Sequence, residues 1–179
     1  MGQAKAKRES GAKIAHCGDC TLCCDLLQFD GLDKRPYHRC RHVTETGCGV
    51  FGARERPAAC ASYRCTYVRW REERFEVPAP VPPPWECGAF CHSQTDARGH
   101  FFVITIDPSR PLLWKRSPLP AFVRPYMIQR GYQALVVDRG RTYTLTTARA
   151  FDEFLSLDFD ALAPAGHPHD IEGWTTRDI

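Results

Sequence analysis

The chain has 179 residues, of which 43% are hydrophobic and 25% are charged; these values lie close to the globular average and exclude wholesale disorder. Its formal net charge is only +3, and no run approaches the roughly eighteen consecutive apolar residues of a membrane-spanning helix. The length fits one domain, or a small domain with a compact extension.

The first thirteen residues form a basic segment whose lysine and arginine side chains account for the net charge of the whole chain. Because the remainder is close to neutral, the composition gives no global signature of a nucleic-acid-binding protein. The segment also lacks the apolar core of a secretory signal peptide. We therefore expect residues 1–13 to be a flexible basic arm of a cytoplasmic protein.

All ten cysteines lie between Cys17 and Cys91, so the chain divides into a cysteine-rich half and a half without cysteine. The cytosol keeps thiols reduced, and clustered cysteines in that compartment usually bind metal. A disulfide framework would be expected only if the chain were exported. We expect residues 14–76 to form a metal-binding module organised by cysteine thiolates.

The motif CxxCxxCC begins at Cys17 and is the strongest local pattern in the chain. If this stretch is helical, the four sulfurs fall within an arc of about 120° on one helix face and converge on one spot. The alternative is a stripe of cysteines buried in a hydrophobic core. Adjacent cysteines rarely bind one ion comfortably, so Cys23 and Cys24 either serve different metals or include one that is not a ligand.

Four more cysteines follow between residues 40 and 65. Pro57 suits the first position of a helix, which would begin just before Cys60. Cys60 and Cys65 would be about 140° apart on a regular helix, so we expect them to straddle a turn or a helix end. The predicted metal ligands are Cys17, Cys20, Cys23, Cys24, Cys40, Cys48, Cys60 and Cys65.

Thiolates suit zinc, which takes four of them tetrahedrally, or an iron-sulfur cluster held by four cysteines. Eight thiolates would fill two such sites, or one cluster with spare cysteines, and the spacing does not choose between zinc and iron. A four-thiolate site carries negative charge that needs compensation when buried. The nine arginines between residues 35 and 74 could provide it, form a solvated basic face, or bind phosphate or RNA.

Four histidines flank cysteines closely, and an imidazole could replace a thiolate on zinc. These histidines are His16, His38, His42 and His92.

Residues 77–99 are predicted to form a proline-rich strap that begins with the sequence VPAPVPPP, which must be extended. The strap carries Cys87 and Cys91, which are four residues apart and would share one face of a possible helix. These two cysteines would either complete a metal site or be ordinary buried cysteines.

Residues 100–163 are predicted to form an α+β extension, so the fold class is α+β with a small metal-organised module first. Residues 100–107 are rich in aromatic and β-branched side chains and predict a strand. Residues 132–138 and 141–147 alternate around Gly140 and predict a β-hairpin.

Two helices complete the predicted extension, over residues 120–130 and 148–162, the second with apolar residues at helical spacing. The tail, residues 164–179, is rich in proline, glycine and histidine and is predicted to be irregular.

The order of the cysteine motifs resembles that of the bacterial YkgJ-type or CxxCxxCC family of zinc- or iron-chelating proteins. The resemblance covers roughly residues 16–70 and includes Cys40, the GCGVF segment and the RPAACASYRC segment. It implies that the eight cysteines of this region bind zinc or iron. Flagellin lysine methylases share a similar motif and are thought to combine an iron-sulfur cluster with methyl transfer. This chain lacks a glycine-rich nucleotide-binding loop and the CxxxCxxC motif of radical enzymes, so the resemblance does not imply methylase activity for it.

The sequence therefore predicts a metal-binding protein that coordinates zinc or an iron-sulfur cluster. The alternatives are an iron-sulfur-dependent redox or methyl-transfer enzyme, a metal-delivery protein, and a module that binds nucleic acid or an acidic protein through its arginines. No serine lies in a nucleophile-elbow context, and no HExxH metal motif occurs. The sequence identifies neither a substrate nor a protein partner, and a membrane is not an expected partner.

Overall fold

The computed structural model describes residues 20–29, 32–74, 76–157 and 174–178. It contains both helices and strands, which confirms the predicted α+β class. The helices are α1 (Leu22–Leu26), α2 (Ala58–Ser62), α3 (Thr66–Glu73), α4 (Pro84–Cys87), α5 (Leu119–Arg130) and α6 (Ala148–Ser156), with a 3₁₀ turn at Leu113–Arg116. The strands are β1 (Val43–Thr44), β2 (Gly47–Cys48), β3 (Ala89–Asp96), β4 (Gly99–Ile106), β5 (Gln133–Asp138), β6 (Arg141–Leu145) and β7 (Trp174–Asp178).

The main sheet has five strands in the order β3-β4-β5-β6-β7. Strands β4 and β5 run parallel, with Val103 opposite Leu135, because the connection between them contains α5 and crosses over the sheet. The other neighbouring strands are antiparallel. Strands β1 and β2 form a separate two-stranded hairpin within the cysteine-rich region.

The main hydrophobic core lies between this sheet and helices α5 and α6. Trp114, from the 3₁₀ turn, is fully buried, and its ring centroid lies 6.4 Å from that of Phe151 and 6.3 Å from that of Phe154. Ile104 and Val136 contribute from β4 and β5. The predictions for β4, for the β5–β6 hairpin and for α5 are confirmed with small shifts of their ends.

Local sequence explains two of the turns around this core. The β5–β6 hairpin turns at Arg139 and Gly140, both of which have positive φ, as a two-residue hairpin loop requires. Helix α5 ends at Gly131, whose φ of 65° is a left-handed conformation that glycine adopts without a Cβ penalty. Helix α6 begins at Thr147, whose side chain accepts a hydrogen bond from the Ala150 amide at 3.0 Å.

The predicted strap, residues 77–99, is only partly correct. Its first residues have no helix or strand, and Pro83 has extended, polyproline-like angles. However, Ala89–Asp96 form strand β3 and pair along their whole length with β4. Gly88 lies between α4 and β3, and its φ of 67° is a left-handed conformation that ends α4. A Cβ at this position would lie 3.2 Å from the Leu113 side chain, so the site is also tight for any larger residue.

The end of the chain also differs from the prediction. Trp174–Asp178, predicted to be irregular, form strand β7 and pair with β6. The edge of β6 offers unpaired backbone groups to a further strand, and the composition of the tail does not indicate such a partner. Helix α6 is shorter than predicted and ends at Ser156, because Leu157 has extended backbone angles. The predicted basic arm, residues 1–13, lies outside the described residues.

The cysteine-rich region packs against strand β3 through a second, smaller apolar cluster. Leu26 of α1, Cys65 and Val68 of the α3 region, and Phe90 of β3 are its buried members. Tyr67 and Trp70 of α3 also contact the main core. Within the residues that the structure describes, no helix has both the length and the apolar character needed to cross a membrane.

Candidate metal centre

Helix α1 holds Cys23 and Cys24 but does not include the rest of the CxxCxxCC motif. It begins at Leu22, after Cys20, and Thr21 Oγ1 donates a hydrogen bond to Asp25 Oδ2 at 2.7 Å. The prediction that four sulfurs share one helix face is therefore wrong for Cys20, and Cys17 lies outside the described residues. Because consecutive side chains on a helix are about 100° apart, Cys23 and Cys24 point in different directions.

Cys24 belongs to a set of four neighbouring cysteines that we call the hairpin group. Its members are Cys24, Cys40, Cys48 and Cys60. The Cys40 amide donates a hydrogen bond to the Cys24 carbonyl at 3.0 Å, and the Val43 amide donates to the Cys40 carbonyl at 3.1 Å. Val43 lies opposite Cys48 in the β1–β2 hairpin. Two short backbone links therefore bring three of these cysteines into one neighbourhood.

Cys60 joins the hairpin group from helix α2. Burial raises the pKa of its thiol, while a hydrogen bond from Arg56 and the charge of Arg56 lower it; the nearby Cys24 and Cys48 raise it slightly further. Arg56 also donates from Nη2 to the Cys60 carbonyl at 3.0 Å and lies 4.4 Å from the centre of the Phe51 ring. Of the nine arginines, Arg56 is thus placed to stabilise a thiolate.

A second set, which we call the cavity group, consists of Cys20, Cys23 and Cys65. These three residues line a cavity of about 20 Å³, whose other lining side chains are apolar and include Phe90 and Trp85. The volume is close to that of a single water or ion. Cys65 lies directly before α3 and Cys60 lies inside α2, so the two cysteines are separated by a helix end, as their spacing predicts.

Lys34 is a charged neighbour of the cysteines that the sequence analysis did not identify. Burial lowers the pKa of its ammonium group, and the thiols of Cys40 and Cys24, followed by Asp25 and Cys23, raise it. Its Nζ also donates to the His38 carbonyl at 2.5 Å. Lys34 stands outside every cysteine motif, so only its position in space connects it to the thiols.

Several of the other arginines are engaged at the surface. Arg39 lies 3.5 Å from Asp25, and Arg64 lies 3.4 Å from Glu72. Arg69 pairs with Glu73 on the exposed side of α3. Exposed pairs of this kind contribute little to stability, and they favour a solvated charged face for this part of the arginine-rich segment.

The described histidines contact groups other than thiols. His38 Nδ1 lies 3.0 Å from the Pro36 carbonyl, and Arg41 Nε lies 3.4 Å from His42 Nε2. His92 lies in β3, where burial lowers the pKa of its imidazole, and its Nδ1 is 3.2 Å from the Tyr63 hydroxyl. His16 lies outside the described residues.

Cys87 and Cys91 belong to the main core. Their exposed fractions are 1% and 4%, and Cys87 Sγ donates to the Ala89 carbonyl at 2.9 Å. Burial raises the pKa of the Cys91 thiol to about 12, although a hydrogen bond with Thr66 acts in the opposite direction. These features favour ordinary buried cysteines over metal ligands.

This difference in environment predicts different thiol reactivity in protein treated with a chelator. At pH 8, a thiol with a pKa of about 12 is ionised in about one molecule in ten thousand, and only the thiolate reacts rapidly. We expect iodoacetamide to modify Cys48 and Cys60 well before Cys91, as measured by mass spectrometry of peptides. Modification of Cys91 as fast as Cys48 would contradict its assignment to the core.

Among the residues that the structure describes, no three His, Cys, Asp or Glu side chains are arranged closely enough to hold a metal ion. The hairpin and cavity groups are therefore neighbouring thiols and not closed coordination spheres. Their chemistry nevertheless fits zinc or an iron-sulfur cluster, since both take soft sulfur ligands and neither group includes a competing carboxylate. No family model matches the chain, and neither a characterised protein nor a solved structure matches it.

Proposed function

We propose that the protein binds metal through two separate sets of thiolates, as zinc ions or as iron-sulfur clusters. The observation that best supports this is the division of Cys23 and Cys24: Cys23 lines the cavity with Cys20 and Cys65, whereas Cys24 interacts with the hairpin group. Adjacent cysteines rarely bind one ion, so a division of this kind is what two sites require. The resemblance to the YkgJ-type family is part of this proposal and depends on the order of the cysteines.

The hairpin group contains the four thiols that a complete site needs. They come from α1, the following loop, the β1–β2 hairpin and α2, which have little other apolar support. Between residues 20 and 64, Leu26 and Leu32 are the buried aliphatic side chains in the described part of the chain. Metal binding would draw the thiols together and contribute directly to the folding free energy of this region.

The cavity group contains three thiols, and a fourth is available in the motif at Cys17. Cys17 is three residues before Cys20, as Cys20 is before Cys23, so the repeated spacing makes it the natural fourth ligand. Two four-thiolate zinc sites would each carry two negative charges. Lys34 interacts electrostatically with Cys40, Cys24 and Cys23, and Arg56 interacts with Cys60, so both cations would offset part of that charge.

Metal analysis of protein purified without oxygen tests this proposal. We expect about two zinc ions per chain, or iron with acid-labile sulfide and broad visible absorption. Iron with sulfide would also make the redox or methyl-transfer alternative worth testing, whereas zinc would favour a structural or delivery role. Chelation should unfold the cysteine-rich region selectively, which hydrogen exchange measured by mass spectrometry would detect as lost protection over residues 20–65. Protein that is fully folded and contains no metal when it is purified would overturn the proposal.

A further inference from the structure

A cleft of about 540 Å³ is lined by residues of α3 other than those that line the cysteine cavity. It is bounded by α3, by strands β3 and β4, and by α5. The cavities that bind small molecules in proteins usually have volumes of about 300 to 1,000 Å³. The size of the cleft is therefore suited to a small organic ligand.

One wall of the cleft is aromatic and firmly held. Phe102 and Tyr132 are stacked, with ring centroids 5.0 Å apart and an angle of 30° between the ring planes. Tyr126 meets Phe102 edge to face at 5.1 Å. Phe102 and Tyr126 are buried in the core, while Tyr132 is only half-buried. Tyr132 is therefore the ring of this wall that a planar ligand can reach, and its neighbours hold it in position.

The rim of the cleft has two arginines in different electrostatic situations. Arg69 donates to both carboxylate oxygens of Glu73 at 3.2 Å, so its charge is compensated. The Arg130 guanidinium lies 5.2 Å from the centre of the Tyr126 ring. Within the described part of the chain Arg130 is in no ion pair, although Glu76 lines the cleft with it, so an anion would meet a guanidinium that is not already bound to a carboxylate.

We propose that this cleft binds a small molecule that has a planar aromatic ring and an anionic group. The ring packs against Tyr132, which Phe102 and Tyr126 hold in place, and the anion pairs with Arg130. A carboxylate and a phosphate share this chemistry, because the guanidinium fork binds either with two hydrogen bonds. The proposal does not rest on metal binding, since no cysteine lines the cleft.

Calorimetric titration of the full chain with matched probes tests the proposal. Indole-3-acetate provides the carboxylate and adenosine monophosphate provides the phosphate, with indole and adenosine as their uncharged counterparts. We expect one of the two anionic probes to bind, and to bind at least about tenfold more tightly than its counterpart, because a charged hydrogen bond contributes about 1.5 to 3 kcal/mol. Which anion binds identifies the class of ligand.

Two variants separate the roles of charge and ring. Arg130→Gln should weaken the anionic probe about tenfold and leave the uncharged counterpart unaffected, whereas Tyr132→Ala should weaken both. Arg116→Gln, a change to an exposed arginine of the 3₁₀ turn that does not line the cleft, should have no effect. Circular dichroism spectra identical to the unchanged protein confirm that each variant is folded. No saturable binding of either anionic probe at millimolar concentration, or equal binding by Arg130→Gln, would overturn the proposal.

Discussion

Cys24→Ser is expected to remove one metal equivalent per chain and to leave the other in place. Cys24 interacts with Cys60, and its backbone carbonyl accepts the Cys40 amide, so its loss should affect the hairpin group alone. Cys23→Ser should instead remove the equivalent bound by Cys20 and Cys65. Metal content per chain, measured after gel filtration, should therefore fall by about half in each variant.

Combined variants make this test sharper. Cys24→Ser with Cys60→Ser should lose no more metal than either change alone, because both thiols belong to one site. Cys23→Ser with Cys24→Ser should lose nearly all of it. Cys87→Ala is the matched control, because Cys87 is buried in the main core and should keep the full metal content. Loss of all metal from Cys23→Ser alone would indicate one shared cluster and would contradict two sites.

Trp114→Ala is expected to destabilise the protein by about 3 to 5 kcal/mol, which is a large fraction of the stability of a typical domain. Trp114 is fully buried and packs against Phe151 and Phe154, so its truncation leaves a large cavity. Its indole N–H has no hydrogen-bond partner among the described residues, so the loss would reflect packing. Urea unfolding followed by circular dichroism measures the change.

Two comparisons distinguish packing from a general effect of removing tryptophan. Trp85→Ala removes the same side chain from a site that is 44% exposed, and we expect a loss of about 1 kcal/mol or less. Trp114→Phe keeps most of the ring volume and removes the unpaired N–H, so its loss should be clearly smaller than that of Trp114→Ala. Equal losses for Trp85→Ala and Trp114→Ala would show that Trp114 is not a centre of the core.

Local sequence determined those elements whose signals lie within a few neighbouring residues. The β5–β6 hairpin follows from alternating strands around Arg139 and Gly140, where positive φ is needed. Strand β4 follows from an uninterrupted aromatic and β-branched run, and α5 persists although Pro125 lies inside it. In these segments the preferred local conformation and the fold agree, so the α+β class could be predicted.

Elements that depend on a distant partner were decided by the tertiary structure. The spacing of Cys87 and Cys91 is compatible with a helix, but pairing with β4 places Cys91 in a strand and both thiols in the core. Strand β7 likewise needs the open edge of β6. Strand pairing is a long-range contact, so the segment's own composition does not encode it.

The candidate site divides in the same way. The order and number of cysteines predict thiolate ligands, so the residue type that we propose to bind metal follows from the sequence. Adjacency predicts that Cys23 and Cys24 do not share one ion, but their different neighbours, and the position of Lys34 beside the thiols, come from the tertiary structure. The physical reason is that a thiol's neighbours depend on how the hairpin and α2 fold back onto α1, which no local spacing specifies.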